Sequence, residues 1–392
     1  ARPVTRLQRL LKPLDVFLRV ETVSGLALLA AATAALVWAN SGLHEGYERA
    51  WDAPVPLIGV TIRYLINEGL MAVFFLVVGL EIRREMHDGT LSSPALAALP
   101  LVAAAGGIVA PALLYLALAP AAASAGWAVA TATDIAFAIG VLALLGPRVD
   151  PALRILLLAI AIADDIAAVL IIAFFYAEGV APGGLAVAAG GVAIGWLLHR
   201  ARANIWLACI LPGAIVWYGF HEAGLHPALA GVVVGLATPM KPSPQAGGEP
   251  PASKLESALH PWVAFGVMPL FAVANAGVRL GSIDLSHDAA PWVAGAVALG
   301  LLAGKPLGIV AAVALAVRTR FFSLPDGVTG AGVAIVGCLG GIGFTMSIFI
   351  AGLAFPDPAL LALAKLGVLA GSAGAALAGL LLGWLLLPRR GG

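Results

Sequence analysis

Apolar runs of about twenty residues, each closed by charged, proline or glycine positions, follow one another along almost the whole chain. They fall at 14–39, 63–83, 95–118, 121–145, 152–176, 182–199, 204–220, 223–238, 259–278, 291–317, 328–354 and 358–387. A helix of about 20 apolar residues crosses the roughly 30 Å hydrocarbon core of a bilayer, where an unpaired backbone group finds no partner. The pattern therefore predicts an all-α integral membrane protein of about 12 transmembrane helices, with the eighth window the shortest. An even count places both termini on one side.

Basic residues test that count independently, because cytoplasmic loops keep an excess of Lys and Arg. They gather on one predicted side, at 2–12, 83–84, 148–154, 200–202, 241–254, 318–320 and 389–390. The other side has only Arg49, Arg63 and Arg279. Both termini are thus expected in the cytoplasm. The basic opening ARPVTRLQRLLKPLD leads into a run that continues past Trp38, too long for the core of a signal peptide, and reads as a cytoplasmic leader to the first span.

Composition agrees with this solvent. The 392 residues are 61% hydrophobic and 11% charged, against roughly 25% charged in soluble domains. The 47 glycines suit close helix packing in lipid. A net charge of +1 gives no basic patch and no argument for a nucleic-acid partner. Cys209 and Cys338 stand far apart in apolar stretches, without metal-type spacing, and read as reduced packing residues. The whole chain, 1–392, is expected to form one transmembrane domain. A Pro, Gly and Ser-rich cytoplasmic linker at about 241–256 divides eight spans from four. GYERAWDAPVPLIGVTI suits a small periplasmic hairpin at about 45–62, or an irregular loop.

Few ionisable residues lie deep in the apolar windows: Asp134, the adjacent Asp164 and Asp165, and Lys305. Each costs at least about 2.5–3.5 kcal/mol at mid-membrane, so each needs a partner or an aqueous path. Asp164 and Asp165 point about 100° apart on one helix and cannot face one spot, but they can line adjoining walls of one cavity. Neighbouring buried carboxylates titrate as a coupled pair. With hydroxyls such as Thr133 they offer the oxygen ligands that a hard cation prefers. A site that takes either a metal cation or protons, and opens to alternate sides, exchanges them. Lys305 needs one of the aspartates as counter-charge; a purely structural staple is the plainer reading, as is a helix-end role for Asp134.

Two windows carry signs of a break. The fourth has TATD at its centre, and the eleventh has Gly337, Gly340, Gly341 and Gly343 within GCLGGIGFTMSIF. Glycines in that density are poor helix formers, and unwound backbone at membrane depth is tolerated only around a cavity or within protein. The faint echo of TDIAF (133–137) in TMSIF (345–349) suggests inverted repeats, about 95–176 and 291–387, with two broken helices crossing near the bilayer midplane.

At these residues the sequence closely resembles the NhaA-type bacterial sodium/proton antiporters. The matching stretches are FFLVVGLEIRRE (74–85), TATDIAFAIGVLALLG (131–146), ADDIAAVLIIAFFY (163–176), HPWVAFGVMPLFAVANAG (260–277), GKPLGI (304–309) and GIGFTMSIFIAGLAF (341–355). The resemblance implies a secondary transporter, not an enzyme, in the bacterial inner membrane. It implies electrogenic exchange of sodium or lithium for protons, serving pH and sodium homeostasis, with the ions as substrates and no cofactor. Asp165 would be the central sodium ligand, Asp164 its partner and ion-paired to Lys305, with Thr133 lining the site. Asp134 and Lys305 would offset the dipoles of the broken helices. Glu81, Arg84, Glu85, Glu256 and His260 match a cytoplasmic pH-response cluster, and His226 matches a further position linked to pH response. A homodimer through the hairpin is implied as well.

Two rival classes have weaker support. A proton-coupled organic-anion symporter would want basic groups deep in the bundle, where only Lys305 stands in an acidic site. An intramembrane aspartyl-type enzyme would want a GxGD-type element, which the sequence lacks, and DDIAA is not DDxxD.

Overall fold

Several helix starts are written as a capping residue followed by proline. Ser93, Asp150 and Asp357 each accept a hydrogen bond from an N–H two or three residues on, at 3.4, 2.9 and 2.9 Å, and each is followed by Pro at the first helical position. Asn204 and Thr329 cap in the same way at 2.9 and 3.1 Å.

The computed structural model describes residues 6–56, 59–177, 179–241, 248–282, 290–319 and 322–388. In chain order the helices are α1 (Arg6–Ala39), α2 (His44–Asp52), α3 (Ile62–Asp88) and α4 (Pro94–Leu118). Next come α5 (Ala121–Ala130, wound as a 3-10 helix), α6 (Ile135–Ala143), α7 (Pro151–Phe175), α8 (Pro182–Arg200) and α9 (Ile205–Ala223). The last are α10 (Pro227–Ala237), α11 (Pro251–Asn275), α12 (Trp292–Arg318), α13 (Gly330–Gly340), α14 (Phe344–Ala354) and α15 (Pro358–Leu386).

The protein is an all-α membrane protein. Among the described residues eight helices are long and apolar enough to cross a bilayer, or up to eleven when each bent pair counts as one span. The bent pairs are α1 with α2 at 115°, α5 with α6 at 53° and α13 with α14 at 46°. Helix α10 occupies the eighth sequence window; at 1.5 Å per residue it is only about 16 Å long, short of a full crossing. Both windows expected to break do so, at 131–134 and 341–343.

The loop after α1 departs from the hairpin expected at 45–62. Residues 44–52 are helical, because Tyr47 and Trp51, four apart, pack on Trp38 with ring centroids 5.4 and 6.4 Å away. Tyr47 also donates its hydroxyl to the Val273 carbonyl at 2.8 Å. Among the described residues of the loop one antiparallel bridge remains, Pro54 with Thr61, where Val55 N–H donates to the Val60 carbonyl at 2.8 Å. At the other loop, α11 begins at Pro251, so residues 251–256 belong to a helix rather than to the linker. Residues 242–247 of that linker, and both termini at 1–5 and 389–392, lie outside the described residues.

Helices approach closely where a glycine faces the backbone of a neighbouring helix. A Cβ on Gly308 of α12 would stand 2.0 Å from the Gly106 carbonyl oxygen of α4, and a Cβ on Gly231 of α10 would stand 2.0 Å from that of Ala72 in α3. Such contacts bring backbones together where no hydrophobic force separates helix from lipid. Helices α4, α7, α12 and α15 pack around the two broken spans.

Candidate ion-binding site

The breaks leave backbone ends at membrane depth, and the deep charges meet them there. Asp134 caps α6, accepting from Phe137 N–H at 3.0 Å, while its other oxygen accepts from the Thr345 N–H of α14 at 3.2 Å and from the Thr345 hydroxyl. One carboxylate thus serves the N-termini of two half-helices, where the helix dipoles are positive. The Asp134 N–H donates to the Ile342 carbonyl at 2.7 Å, tying the two breaks directly together.

Lys305 follows a π-turn at Gly300–Gly304 and is fully buried. Its ammonium lies 2.7 Å from Asp164 Oδ2 and donates to the Thr131 carbonyl, at the C-terminal end of α5. A cation suits that end of a helix as a carboxylate suits the other. The Thr133 hydroxyl lies 2.7 Å from Asp164 Oδ2 and 2.8 Å from the Gly340 carbonyl; having one proton, it donates to one of them at a time. Asp164 Oδ1 is buried and has no hydrogen bond.

The angular separation of adjacent helical positions sends the two acids of α7 different ways. Asp164 meets Lys305. Asp165, also buried, lines a cavity of about 60 Å³ shared with Thr133, Asp134, Glu81 and His260. Among the described residues no group of three or more His, Cys, Asp and Glu converges at metal-holding distance. The oxygen donors at hand are carboxylates, hydroxyls and main-chain carbonyls.

Glu81 and His260 carry this cavity toward the charge cluster near the ends of α3 and the start of α11. There Arg84 pairs with Glu256 and stands 3.4 Å from Glu85; Glu85 accepts from Thr90 N–H at 2.8 Å; and His260 Nε2 lies 4.0 Å from Glu81 Oε1. Five of the six residues matched to pH response therefore stand together. His226 stands apart, in a second cavity of about 570 Å³ that opens on the face carrying α2, with Nε2 3.1 Å from Glu68 Oε1.

The two cavities share no lining residue. Phe349 of α14 lines the second cavity, with its ring centroid 5.4 Å from that of Phe75, 6.2 Å from Phe271 and 5.1 Å from His226. Sequence reasoning missed Phe349, Thr131 and the contact of Thr345 with Asp134. Only Thr345 left a signal, since it holds in TMSIF the place that Thr133 holds in TDIAF.

Comparison with known proteins bears on this geometry. The family described as Na+/H+ antiporter 1 matches residues 15–383. The chain is 51% identical to a Na(+)/H(+) antiporter NhaA of Acidovorax sp. (strain JS42), over 94% of this chain and 91% of that protein. It is 47% identical to one of Janthinobacterium sp. (strain Marseille), over 98% and 95%. A third, of Bordetella petrii, is 48% identical over 95% and 90%. With matches that run through nearly the whole length on both sides, the chain belongs to the NhaA-type Na+/H+ antiporter family, a family of secondary transporters rather than enzymes.

Proposed function

We propose that this chain exchanges sodium, or lithium, for protons across the bacterial inner membrane, with cation and protons competing for Asp164 and Asp165. The relatives named above are sodium/proton antiporters by name, which supports the exchange. The observation that carries the residue assignment is the split of the α7 pair. Asp164 is held by a buried ammonium, while Asp165 faces a small cavity lined by oxygen donors. A sodium ion entering that cavity displaces the proton on Asp165 and attracts Asp164 away from Lys305, so that Asp164 Oδ1, Asp165 and Thr133 Oγ1 complete its ligands. Protonation reverses the step. Exchange of more than one proton per sodium makes the cycle electrogenic, the second proton travelling on Asp164 or Lys305.

Alternating access in this reading is a movement of α5–α6 against α13–α14, the broken centres of repeats at about 95–176 and 291–387. In this reading Phe349, which lines the α2-side cavity, closes the way from that cavity to Asp165, and the way from the side of Glu81 and His260 is the open one. That side also carries Arg83, Arg84, Arg148, Arg154 and Arg200, whereas the α2 face has Arg49, Arg63 and Arg279; the positive-inside rule then makes the first side cytoplasmic, with both termini there. The cluster of Glu81, Arg84, Glu85, Glu256 and His260 guards the cytoplasmic mouth and is read as the pH-responsive element, with His226 acting from the other face. A homodimer is assigned to the loop around the Pro54–Thr61 bridge.

The test uses proteoliposomes or everted vesicles with an acid interior. Sodium, lithium and then potassium are added while the internal pH is followed, for the wild type and for Asp165→Asn. Sodium and lithium are expected to alkalinise the interior, potassium not to, and the variant to be silent. An interior pH that no cation moves between about pH 6.5 and 9, or an Asp165→Asn variant as active as the wild type, overturns the reading.

A further inference from the structure

The 570 Å³ cavity on the α2 face is lined by three acids, Glu48, Asp52 and Glu68, and three bases, Arg63, Arg279 and Lys365. Most of these are paired. Arg63 Nε donates to Asp52 Oδ1 at 2.8 Å, Arg279 Nη1 lies 3.6 Å from Glu48 Oε1, and His226 Nε2 lies 3.1 Å from Glu68 Oε1. Lys365, on α15, has no hydrogen bond or ion pair with any described residue. A structural staple would need an anion against the ammonium, and none is in place. The cavity on the opposite side is different in kind: Glu81, Asp134 and Asp165 line it, with no Lys or Arg among the described residues that do so.

We propose that Lys365 keeps the α2-side cavity from holding sodium, so that an ion leaving the central site toward this face enters a space of low affinity. The inference rests on the exchange reading above. Carboxylates around a water-filled space concentrate cations there. Asp52 and Glu48 are offset by arginines. Glu68 is the acid that a departing sodium meets, since among the described residues it has no Lys or Arg against it and its Oε2 is buried without a hydrogen bond. Sodium resting at Glu68 would block release and return to the central site. The Lys365 ammonium removes that resting place. A unit charge on the wall of the same cavity, in a medium between protein and water, shifts cation occupancy about three- to tenfold.

The experiment measures proton-coupled sodium movement from the Arg83 side to the α2 side in vesicles of defined orientation, with rising sodium on the α2 side. The half-inhibitory sodium concentration is expected to fall about three- to tenfold in Lys365→Gln and further in Lys365→Glu. It should be unchanged in Lys365→Arg, and half-saturation by sodium on the Arg83 side should be the same in all four proteins. Lys365→Gln and Lys365→Arg decide the matter if Lys365→Glu does not fold. Half-inhibition that ignores the charge at 365, or that moves equally on both sides, overturns the proposal while leaving exchange standing. A wild type without exchange overturns the reading beneath it.

Discussion

Replacing Lys305 by Met removes an ammonium that is fully buried and 2.7 Å from Asp164 Oδ2. The carboxylate left behind is buried and keeps only the Thr133 hydroxyl. Truncating one partner of a buried ion pair costs about 3–5 kcal/mol, because the other charge stays desolvated. Asp164 has one escape, which is to take up a proton. At pH 7 that step costs about 4 kcal/mol, from the roughly three units between this pH and the ordinary aspartate range at about 1.4 kcal/mol each. At pH 5 it costs only about 1.5 kcal/mol. Folding of the variant then takes up a proton that the unfolded chain does not bind, so its stability relative to the wild type falls as pH rises from about 4. The deficit levels off at the cost of burying the bare charge. The double variant Lys305→Met with Asp164→Asn has no charge to strand; it should recover most of the loss and show no such slope. Tryptophan-fluorescence unfolding in detergent at pH 5, 6, 7 and 8 reads all three proteins. A Lys305→Met deficit that is the same at pH 5 and pH 8, or a double variant no more stable than the single one, refutes the ion pair.

Packing and gating give two further expectations. Gly308→Ala drives a Cβ into the Gly106 carbonyl of α4, and should cost at least about 1–3 kcal/mol and cut the folded yield, whereas Gly213→Ala on α9, with open space at its Cβ, should be neutral or slightly stabilising; equal thermal stability of the two would contradict the close approach. Phe349→Ala removes the ring that in the proposed cycle closes the α2-side cavity from the central site and should let an imposed pH gradient decay without sodium, which a pH-sensitive dye in sealed vesicles detects; a gradient held as long as in the wild type would show that the barrier lies elsewhere.

Deep charges are legible in a sequence like this one because apolar surroundings make each stand out. Asp134, Asp164, Asp165 and Lys305 needed no structure to be noticed, and the divergence of the Asp pair followed from helical geometry alone. Their partners were not legible. The Asp134–Thr345 and Lys305–Thr131 contacts span more than 170 residues and pass through main-chain atoms exposed only where a helix unwinds. The glycines of 337–343 marked where unwinding was possible, and left unsaid what would meet the open ends. Helix α2 was missed for a different reason: the Pro and β-branched residues of 53–62 carried the hairpin reading back over 44–52, where the Tyr47–Trp51 spacing is helical. The separation of His226 from the other five matched residues depends on which face each helix turns to the bundle, and a lone histidine has no periodicity to show it.

The geometry gives a physical reason for exchange at one acid in particular. Asp134 is committed, with two half-helix N-termini and the Thr345 hydroxyl on its oxygens. Lys305 and Asp164 are committed to each other, and Lys305 also to the Thr131 carbonyl. Both commitments use dipoles that exist because the helices are broken; with α5–α6 and α13–α14 continuous, those ends would be satisfied internally and two buried charges would lose partners. Of the four deep charges, Asp165 is the one with no hydrogen bond or ion pair among the described residues, and it faces the cavity. A buried carboxylate cannot stay both charged and alone. In the proposed cycle it holds either a proton or a cation, and whichever arrives through the cavity expels the other.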